Sequence, residues 1–489
     1  MENDICQFAI PRCFMKKFIG RAAELKRLKQ ALSKKAASFV VINGRRRVGK
    51  SRLVKEFSKE FTHYFSFIGL PPEKDTTAQH QLDEFSHQLS RHCQEPFAHY
   101  SDWSDAFWAL GKKVQTGRVL VFFDEISWMG STDPTFLGKI KNLWDQYLSQ
   151  NTQLMFIVCG SASSWIDKNI LSSTGFVGRI SFALTLRELP LSDCNQFWPN
   201  NISFYEKIKM LSVVGGVPKY LEEINPKLSA EENIQRLCFT EGGFLVKEFD
   251  QIFSDLFLRD SVLYKKIVTC LSKGQKELAE IQAELKLETQ GRLTEYLSEL
   301  ELAGFISRDY TWNIKVGLDS KLSKYRLKDN YLRFYLKYIE KNLMKINRST
   351  YDLKSLSSLP EWPTMMGLQC ENLVLNNRKK IHTILGINSA DIICENPYFQ
   401  RATNRIRGCQ IDYMIQTKFD TLYICEIKFL KEEVPTAIIE ALQEKIKALQ
   451  QSNRFSCRPV LIHMNGVHPE IIDSDYFAAI INMAELFEE

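Results

Sequence analysis

The sequence predicts an α/β chain with two separate sheets and a helical region between them, and three observations predict it. Up to about residue 200, short continuous apolar runs alternate with helical patterns. From 262 to about 340, three helical patterns follow one another and end in two strand-like runs. Beyond 365, strands and helices alternate again. A chain of 489 residues exceeds one hydrophobic core, since a domain takes roughly 100–200 residues. The pattern divides it into an α/β unit at 1–200, a helical unit at 201–260, a mixed unit at 261–345, a linker at 346–364 and a second α/β unit at 365–489.

In the first unit, "SFVVING" (38–44), "RVLVFFDE" (118–125) and "QLMFIVCGS" (153–161) read as strands. "KSRLVKEFSKEF" (50–61) and "LGKIKNLWDQYL" (137–148) read as helices. Strands without polar alternation belong to a mostly parallel, doubly wound sheet covered on both faces. Residues 203–257 read as helical around a breaker, "VVGGVPKY" (213–220). "VLYKKIVTCLSKG", "KELAEIQAELK" and "TQGRLTEYLSELELAG" then lead into "FISRDYTW" and "KLSKYRLKD", a hairpin, and into "YLRFYLKYIEKNL". Helix, turn, helix and hairpin are the signature of a winged helix. "TYDLKSLSSLPEWP" (350–363) has a linker's composition. After it, "MMGLQCENLVLNNRKKI" is a helix, "DIICENPYFQ", "GCQIDYMIQ" and "TLYICEIKFL" are strands, "PTAIIEALQEKIKALQQ" is a helix and "SCRPVLIHMN" a strand.

Composition excludes some classes. A formal net charge of +6 on this length is too small to argue for nucleic acid by itself. No apolar run approaches the roughly 18 residues that cross a bilayer, and the opening "MENDICQFAIPRCFMKK" places acids before its first basic residue, unlike a secretory signal. A cytoplasmic protein with no membrane partner is expected. Among its twelve cysteines, none lie closer than Cys6 and Cys13, so there is no C-x-x-C motif, and reduced, buried thiols are the expectation.

"GRRRVGKS" (44–51) fits G-x-x-x-x-G-K-[ST] between a strand and a helix. Gly44 and Gly49 let the N–H groups of the loop, with Arg45, Arg46, Arg47 and Val48 between them, converge on phosphate oxygens at a helix N-terminus. Lys50 is expected at the β- and γ-phosphates of ATP, and Ser51 on Mg2+. Asp124 and Glu125 end an apolar strand, at the sheet edge beside the loop. Asp124 would hold the metal directly or through water, and Glu125 would act as general base.

These residues resemble the archaeal-type, STAND-related ATPases of the AAA-like P-loop group, which join such an ATPase to a winged helix and a variable nuclease-like C-terminal domain. The matching pieces are "FIGRAAELKRL" (18–28), "INGRRRVGKSRLV", "FFDEI", "CGSASSWI" (159–166), "GFVGRI" (175–180), "GGVPKYL" (215–221) and "YRLKDNYLRFYLKYI" (325–339). The resemblance implies that Ser161 is the polar sensor near the γ-phosphate. It implies that Arg179 contacts the γ-phosphate from its own or a neighbouring subunit, where a guanidinium neutralises developing charge. A homo-oligomer is therefore open, and a surface salt bridge is the other reading of Arg179. Pro218 would start a helix near the adenine, or form a plain turn.

In the winged helix, the recognition helix 289–303 offers Arg292 among Glu288, Glu295, Glu299 and Glu301, which counts against groove insertion. Basic residues gather instead at Lys265, Lys266, Arg308, Lys315, Lys321, Lys324 and Arg326. Both a packing module and a DNA contact are open.

The strand "TLYICEIKF" (421–429) carries two charges, Glu426 and Lys428, that share one face by period-2 alternation. Asp412 precedes Glu426 with thirteen residues between them, across a hairpin. A metal-dependent nuclease needs carboxylates on adjacent strands and a lysine to orient water and offset charge. The arrangement resembles the PD-(D/E)XK restriction-endonuclease-like core, over residues 365–465, with Ile411-Asp412 in place of the "PD" pair. The resemblance implies Asp412, Glu426 and Glu371 as ligands of Mg2+ or Mn2+, Lys428 as a catalytic residue and Gln443 as a looser match. "RATNRIRGCQ" (401–410) adds three arginines as a phosphate-contacting loop. A degenerate nuclease and a same-face ion pair are the alternatives.

The expectation is an ATPase whose turnover drives a C-terminal nuclease acting on DNA. Its competitor is a STAND-type, nucleotide-dependent switch whose other domains only bind partners. A transcription regulator is a third reading, opposed by the acidic recognition helix.

Overall fold

A computed structural model describes residues 17–73, 75–161, 163–256, 261–287, 290–402, 404, 407–449 and 454–488. The first sheet is formed by five parallel strands, β1 (Ser38–Asn43), β2 (His63–Ile68), β3 (Val119–Asp124), β4 (Met155–Gly160) and β5 (Ile180–Thr185), in the order β2-β3-β4-β1-β5. β1, β3 and β4 are buried along their whole length, as central strands with apolar side chains on both faces must be. Alternate residues feed two cores: Phe39, Val41, Val121, Phe123 and Val158 on one face, and Val40, Ile42, Leu120, Phe122 and Ile157 on the other. The edge strands β2 and β5 escape the sequence reading because their burial is mixed.

β4 lies between β1 and β3, so Asp124 is separated from the phosphate loop by one strand rather than adjoining it. Parallel register aligns Asn43 with Gly160, which brings the loops after β1, β3 and β4 to one edge.

The middle of the chain is mostly helical, from Phe204–Val214 to Gln290–Leu302. The antiparallel strands β6 (Ile306–Asn313) and β7 (Leu318–Leu327) follow, and then the helix Asn330–Phe334. The second sheet is mixed: β8 (Ile392–Gln400), β9 (Cys409–Thr417) and β10 (Thr421–Lys428) form an antiparallel meander. β11 (Ser456–His463) and β12 (Ala479–Asn482) run parallel to β10. The helix Ala437–Ala448 makes the crossover from β10 to β11.

One continuous core joins the helical region to the second sheet, through residues such as Leu211, Tyr331, Met366, Cys425 and Ile462. The stretch expected to be a linker belongs to this core, with Leu356 and Leu359 buried; its small polar residues mask two apolar anchors. The helix expected after it is broken at Asn377 into Trp362–Asn376 and Arg378–Ile384.

The β6–β7 hairpin packs on the C-terminal sheet. Trp312 donates to Gln416 Oε1 (2.6 Å), Gln416 donates to the Ile314 carbonyl (2.9 Å), and Trp312 meets Tyr398 edge-on. Arg326, expected among the displayed basic residues, is buried against Asp309 (2.8 Å) and Asn372. Glu288 lies outside the described residues. The ten described cysteines carry no disulfide; Cys6 and Cys13 fall outside them. Among the described residues, no helix is long and apolar enough to cross a membrane.

Candidate functional site

The phosphate loop leaves β1 at Gly44, whose φ of 141° and contact with the Leu186 carbonyl leave no room for a Cβ. Gly49 (φ 89°) caps the helix Lys50–Phe57, and a Cβ there would meet nothing within 4 Å. The loop thus has open space before a helix N-terminus, the geometry of an anion cradle. Lys50 is buried, and its ammonium donates to the carbonyls of Gly44 (2.9 Å) and Arg45 (3.2 Å). Ser51 is exposed beside it.

Across the edge, Asp124 Oδ1 accepts from Cys159 Sγ (2.7 Å) and from the Glu125 amide (3.0 Å). Burial and the Asp124 charge push the Cys159 thiol well up, so it stays a neutral donor. Glu125 adopts a left-handed backbone (φ 50°), a strained conformation that aims its carboxylate back at β4. There Glu125 Oε2 accepts from both the amide and the hydroxyl of Ser161, each at 3.0 Å. Ser161 therefore holds the candidate base. Asn43 Oδ1 and Ser127 Oγ, both buried, have no hydrogen-bond partner among the described residues. Oxygen donors at Ser51 and Asp124 beside an open loop fit a nucleotide with Mg2+.

The loop arginines are committed elsewhere. Arg45 is buried between Glu188 (3.1 Å) and Asp329, and donates to the Tyr220 hydroxyl (3.4 Å). Arg47 makes two 3.0 Å bonds to buried Glu248, which also accepts from Tyr220 (3.1 Å). Arg46 is half-buried. Arg21 of "FIGRAAEL" donates to the carbonyls of Val48 (3.0 Å) and Arg187 (2.6 Å). Arg21, Glu188, Tyr220, Glu248 and Asp329 all lie outside the loop motif, and three of them sit in quoted family segments without a role assigned by spacing.

Pro218 begins the helix Pro218–Glu222, and the next residue's amide donates to the Arg47 carbonyl (3.4 Å), so the helix starts against the loop. Arg179 forms the surface salt bridge that is its other reading. It precedes β5, whose Ile180 pairs with Phe39 while Thr185 pairs with Asn43. That puts it at the far end of the sheet, roughly 15 Å of strand away from the loop. It forms a two-pronged pair with Asp145 (2.7 and 2.8 Å). A γ-phosphate contact within the same subunit is excluded.

Residues 18–224 match the family model described as an ATPase domain predominantly from Archaea. The match is to an archaeal-type ATPase domain. An uncharacterized protein of Methanocaldococcus jannaschii is 28% identical over 344 residues, 70% of this chain and 73% of that relative. The Walker-type ATPase of Pyrococcus abyssi aligns with 65% of this chain and 96% of its own, at 16% identity and a TM-score of 0.49. The ORC2 protein of Aeropyrum pernix, in ADPNP-ADP complexes, aligns with 70% and 99%, at 15% identity and a TM-score of 0.39.

Beyond the ATPase domain, a second charge cluster lies at the end of β10. Asp412 on β9 accepts from the Ile427 amide at Oδ2 (2.9 Å). Each oxygen of buried Glu426 accepts one ammonium at 2.7 Å, Lys428 on Oε1 and Lys445 on Oε2. Burial, with the charges of Glu426 and Glu371, pushes the Asp412 carboxyl up to about 7. Glu371, on the helix Trp362–Asn376, is also raised by burial, against the pull of Arg326 and Arg333. Lys428 stays charged because Glu426 offsets its burial.

Among the described residues, no three His, Cys, Asp or Glu side chains stand close enough to grip one metal ion, so the expected three-carboxylate grip by Glu371, Asp412 and Glu426 is corrected. What remains is a pair, Asp412 and Glu426, whose charges Lys428 and Lys445 match. Mg2+ or Mn2+ bound through one or two carboxylates, with water and a phosphate completing the shell, fits that donor set.

Gln443 is exposed; Lys445, two residues on, was missed because an amphipathic helix normally carries such charges. Of the three arginines before β9, Arg401 pairs with Glu277, Arg407 lies 3.4 Å from Glu444, and Arg405 is outside the described residues.

A buried polar network ties the segment that follows Asp329 to the helix of Glu371. Next to Asp329, Asn330 donates to the Gln369 carbonyl (3.2 Å) and accepts from Gln369 (2.7 Å) and Asn372 (3.0 Å). Arg333 donates to Gln369 Oε1 (2.7 Å). Gln369 and Asn372 flank Glu371 on its helix.

Proposed function

We propose that this chain couples Mg2+-dependent ATP hydrolysis at the phosphate loop to cleavage of DNA phosphodiesters at the Asp412–Glu426–Lys428 cluster. The network from Arg45 through Asp329, Asn330 and Gln369 to the helix of Glu371 carries this reading. Arg45 is bonded to Asp329, the next residue Asn330 is bonded to Gln369, and Gln369 shares its helix with Glu371.

Bound Mg2+, held by Ser51 and by Asp124 directly or through water, would neutralise charge between the β- and γ-phosphates. Lys50 exchanges the loop carbonyls for phosphate oxygens. Glu125, positioned by Ser161, polarises the attacking water. Arg179 acts on a γ-phosphate only from a neighbouring subunit, and Pro218 starts a helix on the adenine side. In the C-terminal cluster, Lys428 offsets charge on the phosphate while Asp412 and Glu426 supply the metal's carboxylates. The region 261–345, a winged helix in this reading, serves as a packing module, in keeping with a hairpin spent on the C-terminal sheet.

The test is DNA cleavage on linear, circular and single-stranded substrates with and without ATP and Mn2+, comparing wild type with Lys50→Ala and Lys428→Ala. Cutting lost in Lys428→Ala and made insensitive to ATP in Lys50→Ala supports the reading; equal cutting by all three overturns it.

A nucleotide-dependent switch without cleavage is favoured by one observation, the full occupation of Glu426 by two lysines. It requires slow hydrolysis and an ATP-dependent change in mass, read by light scattering.

A further inference from the structure

Lys445 has no place in any motif of the sequence, yet it is one of two cations on the most buried acid of the C-terminal cluster. It projects from the helix Ala437–Ala448, Nζ 2.7 Å from Glu426 Oε2, with Glu426 itself 3% exposed. Lys428 holds the other oxygen from the strand itself. The two lysines differ in what else they face. Lys445 lines a cavity of about 420 Å³, together with Asp412, Gln410, Gly408 and Arg407. Lys428 does not line it.

Charge and geometry limit what this arrangement does. Lys428 and Lys445 match the charges of Asp412 and Glu426 one for one. A divalent cation at that pair adds two positive charges, so an ammonium leaves Glu426 and a phosphate is needed to balance it. The cation also needs a free Glu426 oxygen, and Oε2 is held by Lys445, the one of the two lysines that lines the cavity. A four-carbon stem allows that displacement without moving the helix.

We propose that Lys445 is a displaceable internal counter-ion and a positioning residue for substrate. It holds Glu426 until a divalent cation takes Oε2, and it then extends into the cavity to meet a non-bridging phosphate oxygen of a nucleic-acid strand. This rests on the C-terminal cluster being a metal-dependent nuclease site. Arg407, which lines the same cavity 3.4 Å from Glu444, another lining residue, is the second cation that strand would meet.

The proposal separates metal affinity from rate. Full-length wild type, Lys445→Met, Lys445→Arg and Lys428→Met are titrated with Mn2+ alone, without nucleotide, by calorimetry, with Asp412→Asn as the control lacking the site. DNA cleavage is measured on the same preparations. Lys445→Met is expected to bind Mn2+ about 10-fold more tightly, since no ammonium competes for Glu426. It is expected to cleave DNA about 100-fold more slowly, having lost its phosphate contact. Lys445→Arg keeps both properties near wild type.

A purely structural lysine would weaken both binding and cleavage in Lys445→Met and is overturning, as is cleavage at the wild-type rate. Wild type that binds Mn2+ and cuts DNA while Lys445→Met matches it overturns the role of Lys445 alone. Wild type that neither binds Mn2+ at this site nor cuts DNA overturns the nuclease reading together with it.

Discussion

At the edge of the first sheet a buried ammonium rests on neutral groups: Lys50 donates to two loop carbonyls. At the edge of the second, two ammonium groups rest on one carboxylate, Glu426. A lysine held by carbonyls gives up dipoles when a polyphosphate arrives, so the loop is ready for its anion. A lysine held by a buried carboxylate gives up a full charge and must be replaced by a stronger cation. The first site is poised and the second is self-neutralised, which is why one reads as a ligand cradle and the other reads equally as a core ion pair until its surroundings are considered.

The largest effect that tests this contrast is Lys50→Ala. ATP turnover, followed by phosphate release, is expected to fall by about 10²–10³-fold, with little loss of folded stability, because only loop carbonyls lose a partner. A collapse of the fold instead would remove the contrast.

Asp329→Ala comes next, acting through stability. It takes one of two carboxylates from the buried guanidinium of Arg45, which keeps Glu188 and the Tyr220 hydroxyl, and is expected to cost about 3 kcal/mol in chemical denaturation. The double variant with Arg45→Met should recover much of that loss.

Asp412→Asn sharpens the second site through pH. Its folded carboxyl titrates near 7 against an ordinary value near 3.8, so the folded state binds the proton more tightly than the unfolded state. Its cost is absent below about pH 4, grows as pH rises and is complete above pH 7. Asparagine should therefore stabilise the protein at pH 8, on the order of 4 kcal/mol, with the gain fading toward pH 4. Mn2+ should stabilise wild type and leave Asp412→Asn unmoved.

The smallest effect belongs to Arg179→Ala. A solvent-screened pair with Asp145 adds little to stability, and turnover by a monomeric form should not change. A large loss confined to an oligomer would bring the neighbouring-subunit role forward.

Much of the first site was legible because its chemistry is local. The spacing from Gly44 to Ser51 and the apolar strand ending in Asp124 need no partner from elsewhere to be recognised. Arg179 misled because a family position says nothing about which end of a strand faces the loop; only the pairing of Ile180 with Phe39 decides that. Lys445, Asp329 and Glu248 were hidden because their partners lie 19, 284 and 201 residues away, and each looks like an ordinary surface charge in its own segment.

The sequence by itself therefore determined the two sheets, the phosphate loop and the shared face of Glu426 and Lys428, since backbone periodicity and glycine stereochemistry are properties of neighbours along the chain. Tertiary structure alone decided that the expected linker is core, that the hairpin is spent on the C-terminal sheet and that the loop arginines are clamped. It also set two lysines on Glu426. Burial and ion pairing depend on what distant segments bring to the same point, and in a low-dielectric interior those partners decide whether a charge is held, moved or exchanged.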